Sequence, residues 1–267
     1  LQIAKTLKTK GTVCVQEEAL GTAHAIYCAK EALNGPCVVA FADTLFKADF
    51  TLDGQADGAI WVKQVEDPSA FGVIKLKDGI ITDFVEKPTA FVSDLAIIGI
   101  YYFKEAERLR DEIKHLIDND LKEHGEFQLT NALESLKQKG LKFVPGQVNA
   151  WMDCGNKPIT VATNSSVLNF AQKDGEDLVD PSVKKINSTI IQPCYIGKNV
   201  QLINATIGPN VSLGANSIVE NATITESLIQ DNAHISNVSL NQAMIGNNVV
   251  FNGHFTSVSL GDYSVLV

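Results

Sequence analysis

The 267-residue sequence lacks a long apolar segment, a cysteine-rich pattern and a leader-like start. No apolar run reaches the ~18 residues that a membrane-spanning helix needs. The opening residues LQIAKTLK are too short and too basic for a secretory signal peptide. The five cysteines are odd in number and form no C-x-x-C pair, which argues against a disulfide framework or a zinc site. We therefore expect a cytoplasmic protein.

Positive charge is also in short supply. The formal net charge is -9, which disfavours an electrostatic grip on nucleic acid or on an anionic membrane, although a small basic pocket for phosphates stays possible. Hydrophobic residues make up 45% and charged residues 20% of the chain, as in a globular protein with a real core. We expect small-molecule partners and neither nucleic acid nor membrane.

Predicted strands and helices alternate up to about residue 164. The continuous apolar run over residues 37–42 predicts a strand buried on both faces. We predict further strands over residues 12–15, 59–65, 72–76 and 96–103, and helices over residues 22–33, 105–117 and 129–139. This alternation favours an α/β sheet domain.

After about Val183 an aliphatic residue recurs every five or six positions. The series is Ile190, Ile196, Leu202, Ile207, Leu213, Val219, Ile224, Ile229, Ile235, Leu240 and Ile245. Three short strands per coil explain it, so the pattern predicts a solenoid whose coils bury this row only by stacking. Asparagines occupy the predicted corners, where a left-handed backbone is tolerated: Asn199, Asn204, Asn210, Asn216 and Asn221. The pattern resembles the hexapeptide-repeat left-handed parallel β-helix.

These two patterns predict the domain organisation. The sheet domain covers residues 1–165, a linker covers 166–185, and the β-helix covers 186–267.

Two segments in the first half are candidates for nucleotide or metal binding. In QEEALGTAHA, residues 16–25, Gly21 permits close approach of a ligand to the backbone, although an ordinary strand-to-helix turn explains the segment equally well. Asp43 directly follows the predicted strand over residues 37–42, and ligands of open α/β sheets bind at the carboxyl ends of strands. A carboxylate there suits Mg²⁺, but a turn or N-cap aspartate is the alternative.

Two further segments are candidates for phosphate and sugar contacts. In FVEKP, residues 84–88, Lys87 offers a compact positive charge for a phosphate; a solvated ion pair is the alternative. In WMDCG, residues 151–155, Trp151 precedes a second carboxylate, Asp153, beside a glycine turn. The alternative is that Trp151 is a core residue and Asp153 caps a helix.

The order and spacing of the segments carry more information than any one of them. Residues 16–25, 41–43, 71–73, 86–88, 98–101, 126–131 and 151–155 together resemble the sugar-1-phosphate nucleotidyltransferases, or nucleotide-sugar pyrophosphorylases. Within that family they are most similar to glucose-1-phosphate thymidylyltransferases and their uridylyl relatives. The resemblance covers residues 1–165 and implies a Rossmann-like nucleotidyltransferase sheet, to which several branches of the family append a β-helix.

The resemblance implies a reaction and its site residues. A sugar 1-phosphate attacks the α-phosphorus of a nucleoside triphosphate, with dTTP or UTP favoured, and pyrophosphate leaves. By resemblance, Asp43 and Asp153 hold Mg²⁺ and act with Lys87 in catalysis. The other implied contacts are Gln16, Gly21 and Thr22 for the nucleotide, and Gly72, Glu86, Lys87, Ile97, Thr130 and Trp151 for the sugar phosphate.

The sequence departs from the family pattern at three places. Ala42 stands where the family usually has glycine, and Asn156 stands where it usually has threonine. No G-x-G-T-R-like phosphate loop occurs anywhere in the 267 residues. We therefore expect an N-terminally incomplete nucleotidyltransferase domain that is inactive by itself.

Two other functions stay open at this point. Hexapeptide-repeat proteins include acyltransferases, which need a general base such as His234 or His254. A non-catalytic assembly or regulatory protein is the third possibility. Because a coil stack has open ends, we also expect a homo-oligomer, which light scattering would detect.

Overall fold

A six-stranded mixed sheet organises the first part of the chain. The computed structural model describes residues 8–48, 56–253 and 258–266, and the chain divides into two compact units, Leu1–Trp151 and Met152–Val267. The first strands are β1 (Cys37–Ala40), β2 (Thr44–Lys47), β3 (Gly58–Gln64), β4 (Val73–Lys77), β5 (Ile80–Val85), β6 (Leu95–Phe103), β7 (Phe143–Gln147) and β8 (Ala150–Asp153). The helices are α1 (Thr22–Tyr27), a 3₁₀ turn (Lys30–Ala32), α2 (Ala106–Asp118), α3 (Leu129–Gln138) and α4 (Lys157–Lys173).

The nine-residue strand β6 is the centre of the sheet. The strand order is β5-β4-β6-β3-β7, and β1 also pairs with β6. β6 runs antiparallel to β1, β3 and β4, whereas β3 and β7 are parallel. The short strand β2 pairs with β8 in a separate two-stranded sheet.

The first five residues of strand β3, residues 58–62, are apolar and buried because the two faces of the strand enter different cores. Ile60 and Val62 pack in the core that contains residues of α2 and α3, while Ala59 and Trp61 pack in the core on the other face. Burying a large apolar side chain contributes about 1.5–3 kcal/mol, so both faces stabilise the strand. The sheet is thereby a rigid platform for the segments that follow its strands.

Most predicted elements of this unit are confirmed. The strands predicted over 59–65, 72–76 and 96–103 and the helices predicted over 105–117 and 129–139 lie within one residue of β3, β4, β6, α2 and α3. The helix predicted over 22–33 is shorter: α1 ends at Tyr27, and a separate 3₁₀ turn follows. None of the helices in the described ranges combines the length and apolar composition that a membrane crossing requires.

Near the start of the chain the strand predicted over residues 37–42 is present as β1, but its predicted burial on both faces and the strand predicted over residues 12–15 are wrong. Residues 12–15 form no strand, and the side chains of Val13 and Val15 are 68% and 64% exposed. A strand needs a partner for its N–H and C=O groups, and the described residues provide no ladder for this segment. β1 is not buried on both faces either: Val38 is 56% exposed, because β1 pairs only with β6 among the described strands and so lies at an edge.

The second unit is a parallel β-solenoid, as the repeat predicts. Its strands are β9 (Lys184–Ile186), β10 (Thr189–Ile190), β11 (Cys194–Ile196), β12 (Gln201–Ile203), β13 (Thr206–Ile207), β14 (Val211–Leu213), β15 (Ile218–Thr225), β16 (Leu228–Ile229), β17 (His234–Asn241), β18 (Met244–Ile245), β19 (Val250–Asn252), β20 (Ser259–Leu260) and β21 (Val265–Leu266). Successive coils pair in parallel, so that Leu202, Val219, Ile235 and Phe251 stack in one fully buried row. Every member of the predicted aliphatic series is buried except Ile190, which is half-buried in the first coils.

The corner asparagines have the predicted backbone conformation. The φ values of Asn199, Asn204, Asn210, Asn216 and Asn221 lie between 49° and 61°. Their side chains also stack: Asn204 Nδ2 donates to Asn221 Oδ1 at 3.1 Å, one coil away. The handedness of the coil stays a prediction.

Helix α4 runs through the position where the sequence predicts a domain boundary. Its second half occupies the first part of the predicted linker, residues 166–185, and the compact units divide earlier, between Trp151 and Met152. The helix packs on the solenoid through Asn164, whose Oδ1 accepts from Ser212 Oγ at 2.6 Å. Because its buried residues include the polar Thr163 and Asn164, the helix has little apolar periodicity in the sequence.

Candidate active site

A tight turn before α1 holds the predicted nucleotide-binding residues. Gln16 Nε2 donates to the carbonyl of Gly21 at 3.2 Å and lies 3.0 Å from His24 Nδ1, so the glutamine side chain folds over the turn. Gly21 has a φ of 104°, and a Cβ added there would lie 2.6 Å from the carbonyl oxygen of Phe127. Both the conformation and the close approach require glycine at this position.

The segment over residues 126–129 contacts this turn along its length. The N–H of Phe127 donates to Leu20 O at 2.8 Å, and the N–H of Ala23 donates to Phe127 O at 2.9 Å. The hydroxyl of Thr22 accepts from the N–H of Leu129 at 3.1 Å. The turn over residues 16–24 therefore lies directly on the segment that leads into α3.

Four predicted sugar-side residues converge at one place. Thr130 Oγ1 donates to Glu86 Oε2 at 2.8 Å. A Cβ added to Gly72 would lie 2.9 Å from Thr130 Cγ2, 3.1 Å from Glu86 Oε2 and 3.3 Å from Ile97 Cδ1. Gly72 thus leaves a small space bounded by a carboxylate, a hydroxyl and an aliphatic side chain, three groups suited to a polyhydroxylated ligand.

The carboxylate of Glu86 dominates the electrostatics of this cluster. Its side chain is only 11% exposed. Burial, together with the negative charge of Glu86, raises the pKa of the Tyr101 phenol far above its usual range. Tyr101 therefore stays neutral beside the carboxylate at any physiological pH.

Lys87 and Trp151 flank the same cluster. The ammonium of Lys87 is 4.0 Å from Glu86 Oε1, and its side chain is 53% exposed, so it remains accessible to an incoming phosphate. Lys87 has a φ of 38°, and its N–H donates to Phe71 O at 3.1 Å. The ring of Trp151 packs edge-on against Phe71 with centroids 5.0 Å apart.

Asp43 lies in an exposed turn between β1 and β2. The N–H of Phe41 donates to Gly99 O at 2.9 Å, and Thr44 Oγ1 donates to Ile98 O at 2.9 Å. Both contacts attach the turn to the middle of β6. Gly99 has a φ of 82°, and a Cβ there would lie 3.1 Å from the Phe41 ring. The side chain of Asp43 is therefore exposed on a turn whose backbone is held by β6.

Asp153 belongs to the second unit and ends β8. Its Oδ1 accepts from the N–H of Gly155 at 2.8 Å, and its carbonyl accepts from Thr163 Oγ1 at 2.8 Å. Asn156 is the N-cap of α4, and its side chain accepts from the N–H of Ile159. Gly155, just before the helix, therefore holds one carboxylate oxygen of Asp153, and Thr163, within the helix, holds its carbonyl.

The described residues contain no group of three or more His, Cys, Asp or Glu side chains placed to hold a metal ion. Asp43 and Asp153 are a two-carboxylate prediction and lie in different compact units. Of the two histidines considered for acyl transfer, His234 lies on the solenoid with its Nε2 3.2 Å from Glu220 Oε2. His254 lies outside the described residues.

Sequence reasoning missed Gln128, which is buried between the turn before α1 and the start of α3. Gln128 is 5% exposed; its Oε1 accepts from the Thr22 hydroxyl and its Nε2 donates to Glu126. Nothing in the local pattern distinguishes this glutamine from an exposed one, because its partner Thr22 is 106 positions away.

Comparison with known proteins gives the same assignment as the motifs. Residues 1–169 match the nucleotidyl transferase family. The chain is 30% identical over 162 residues to the bifunctional protein GlmU of Methanococcus vannielii, covering 58% of this chain and 38% of that protein. It is 25% identical over 276 residues to a glucose-1-phosphate thymidylyltransferase of Streptomyces griseus, covering 93% and 76%.

A solved structure shares the fold. The nucleoside-diphosphate-sugar pyrophosphorylase from Vibrio cholerae RC9 superposes with a TM-score of 0.52 at 22% identity, covering 61% of this chain and 72% of that one. The chain spans between 38% and 47% of the length of the first three curated relatives it matches. The family match covers residues 1–169 of 267, well over half, and agrees with the resemblance of the motifs, so this chain belongs to the nucleotidyl transferase family.

Proposed function

We propose that this chain carries the sugar 1-phosphate pocket of a sugar-1-phosphate nucleotidyltransferase. The complete protein would transfer a nucleotidyl group from a nucleoside triphosphate, with dTTP or UTP favoured, to a sugar 1-phosphate. The observation that carries the proposal is the convergence of Gly72, Glu86, Ile97 and Thr130 at one pocket. The membership of the chain in the nucleotidyl transferase family supports the reaction type.

The reaction requires positioning and charge neutralisation. A phosphate oxygen of the sugar 1-phosphate forms a bond to the α-phosphorus of the triphosphate while the bond from that phosphorus to the β-phosphate oxygen breaks, and pyrophosphate leaves. The carboxylate of Glu86 accepts hydrogen bonds from sugar hydroxyls, and the ammonium of Lys87 neutralises the sugar phosphate. Such fixed groups lower the barrier because they need no reorganisation during the reaction.

Asp43 and Asp153 are the proposed ligands of Mg²⁺. Carboxylate oxygens are the donors that this hard cation prefers, and it usually shares its coordination sphere with substrate phosphates. Asp153 fits this role because the N–H of Gly155 orients its carboxylate at 2.8 Å. When bound, the ion would neutralise negative charge on the phosphates.

Gln16 and Gly21 are the proposed contacts of the nucleotide base, and Trp151 is proposed to line the sugar pocket.

The solenoid is proposed to serve assembly into a homo-oligomer. Its stacked coils bury the aliphatic series from Ile196 to Ile245, whereas its outward side chains are mostly polar.

The pocket is tested by binding of sugar 1-phosphates to the chain itself. We expect isothermal titration to show that the wild-type chain binds a hexose 1-phosphate and that Glu86→Gln lowers the affinity about tenfold, the size expected when a hydrogen-bonded charge is removed. Glu66→Gln is the matched control, because Glu66 is an exposed glutamate of the same unit. The proposal fails if no sugar 1-phosphate binds to the wild-type chain, or if the two variants bind equally well.

A further inference from the structure

Helix α3 begins without a cap from its own N-cap residue. Gln128 precedes the first helical residue, Leu129, and within the described range 56–253 its side chain makes no capping bond to the helix. The first N–H groups of any helix have no partner inside the helix, so another group must satisfy them. Thr130 is the second residue of this helix and lies in the turn that would fray first.

Thr22 supplies the missing acceptor from a distant part of the chain. Its Oγ1 accepts from the N–H of Leu129 at 3.1 Å, across 107 positions of sequence. The same hydroxyl directs its hydrogen toward Gln128 Oε1, at 3.5 Å. The threonine hydroxyl therefore accepts from the first N–H of α3. An N-cap side chain usually supplies such an acceptor from within its own segment, to the second or third N–H of the helix.

The surrounding contacts hold Thr22 in this position. Backbone hydrogen bonds join Leu20 to Phe127 and Phe127 to Ala23, on both sides of the threonine. Gly21 packs so closely on the backbone of Phe127 that a side chain at this position would overlap with it. The threonine hydroxyl consequently accepts a hydrogen bond from the Leu129 N–H and makes a long, 3.5 Å contact with Gln128 Oε1.

We propose that Thr22 is a positioning residue for the sugar 1-phosphate pocket: its hydroxyl caps α3 and thereby fixes Thr130 against Glu86. The inference rests on the proposed function of that pocket. It assigns an internal role to the Thr22 hydroxyl, while the nucleotide contact that the family resemblance implies for Thr22 stays a prediction. The turn over residues 16–24 and the sugar 1-phosphate pocket then share the segment over residues 126–130.

The test measures the cap and the pocket separately. In the ligand-free chain, Thr22→Val removes the hydroxyl at nearly constant volume and is expected to speed hydrogen exchange of the Leu129 amide by about five- to tenfold, as for the loss of one capping bond. Thr22→Ser keeps the hydroxyl and is expected to restore slow exchange. By isothermal titration, Thr22→Val is expected to bind a hexose 1-phosphate about five- to tenfold more weakly, whereas Thr22→Ser stays within about twofold of wild type.

Ser135→Ala is the control for a purely structural effect. Ser135 lies further along α3 and donates to the buried carboxylate of Glu112 at 2.6 Å. Its removal is expected to lower stability without changing the affinity for the sugar phosphate. If Thr22→Val does not fold, Gln128→Met removes the acceptor that orients the Thr22 hydroxyl and is expected to raise the same exchange rate.

The outcomes separate this inference from the proposed function. If the wild-type chain binds the sugar phosphate and Thr22→Val leaves either its affinity or the Leu129 exchange rate unchanged, the positioning role is overturned. If the wild-type chain binds no sugar 1-phosphate, the proposed function fails and the substrate role of Thr22 fails with it, while the exchange measurement still decides whether Thr22 caps α3.

Discussion

Single residues explain two of the three departures from the family pattern. Asn156 stands in place of the usual threonine, and it is the N-cap of α4; asparagine caps a helix at least as well as threonine does. Ala42 stands in place of glycine in the turn before Asp43, where it is exposed and its methyl group meets solvent. Both substitutions are therefore compatible with the local structure.

The two proposed metal ligands make a prediction at this scale. In the complete parent protein, Asp43→Asn or Asp153→Asn is expected to reduce turnover by ~10²-fold or more, because each removes an electrostatic stabiliser of the phosphates. Pyrophosphate release with saturating Mg²⁺ measures the effect. Asp78→Asn is the control: Asp78 lies in an exposed turn with a φ of 52°, a conformation that asparagine also adopts readily. Normal turnover in either site variant would remove that residue from the metal site.

At the scale of elements, α3 is held at both ends. Its start is bound by Thr22, and its second half is tied to β5, because Glu134 accepts from the N–H of Phe84 at 3.1 Å and Lys137 donates to Thr82 O at 2.6 Å. Burial acts to raise the pKa of Glu134, but the hydrogen bonds from Lys137 and Phe84 outweigh it, and the pKa is lowered. The charged form is thus favoured, and the helix stays fixed beside the strand that leads to Glu86.

The solenoid is stabilised by a ladder of asparagine side chains at one corner. Each Nδ2 donates to the Oδ1 of the next coil: Asn187 to Asn204 at 3.0 Å, Asn204 to Asn221 at 3.1 Å, Asn221 to Asn237 at 3.2 Å and Asn237 to Asn252 at 3.0 Å. Asparagine serves two purposes here, because it tolerates the left-handed backbone and its amide is both donor and acceptor.

Substitutions at the middle of the ladder separate these purposes. Asn221→Ala removes two hydrogen bonds and places an alanine at a φ of 49°, so we expect the free energy of unfolding of the solenoid to fall by about 2 kcal/mol. Asn221→Gly removes the same bonds without the backbone strain and is expected to be less destabilising.

Urea unfolding followed by two signals measures the effect. Fluorescence reports the first unit, because both tryptophans, Trp61 and Trp151, lie there, whereas circular dichroism reports both units. A change in the circular dichroism transition without a change in the fluorescence transition belongs to the solenoid.

Asn241→Ala is the matched control for the ladder. Asn241 is an exposed asparagine of β17 outside the corner. We expect a change below about 0.5 kcal/mol for it, the usual size for a surface substitution. Equal effects of Asn221→Ala and Asn241→Ala would show that the ladder contributes nothing.

For the whole molecule, the sequence of 267 residues contains no Gly-rich phosphate loop. A triphosphate needs donors and cations around its β- and γ-phosphates, and Lys87 is assigned to the sugar phosphate. We therefore expect this chain alone to show no nucleotidyl transfer with sugar 1-phosphates, each nucleoside triphosphate and Mg²⁺, as measured by pyrophosphate release. The complete parent protein is the positive control, and turnover by the chain near ~1 s⁻¹, an ordinary enzymatic rate, would contradict the expectation.

The sequence by itself determined the solenoid almost completely. The aliphatic series from Ile196 to Ile245 is buried, and the corner asparagines have positive φ, because each coil repeats the same local environment and contacts mainly its neighbours. The longer elements of the sheet unit, such as β6 and α2, were also predictable, since their apolar patterns extend over nine or more residues.

Only the tertiary structure decided how the site residues meet. Gly72, Glu86, Ile97 and Thr130 are separated by up to 58 positions (130 − 72), and their convergence depends on the pairing of β4 with β6 and the packing of α3 on β5. The cap that Thr22 places on α3 is equally invisible in the sequence. The residues around a threonine are the same whether its hydroxyl contacts a ligand or a distant backbone N–H.

Residues 12–15 show the converse: their apolar pattern favours a strand, but a strand forms only where another strand completes its hydrogen bonds.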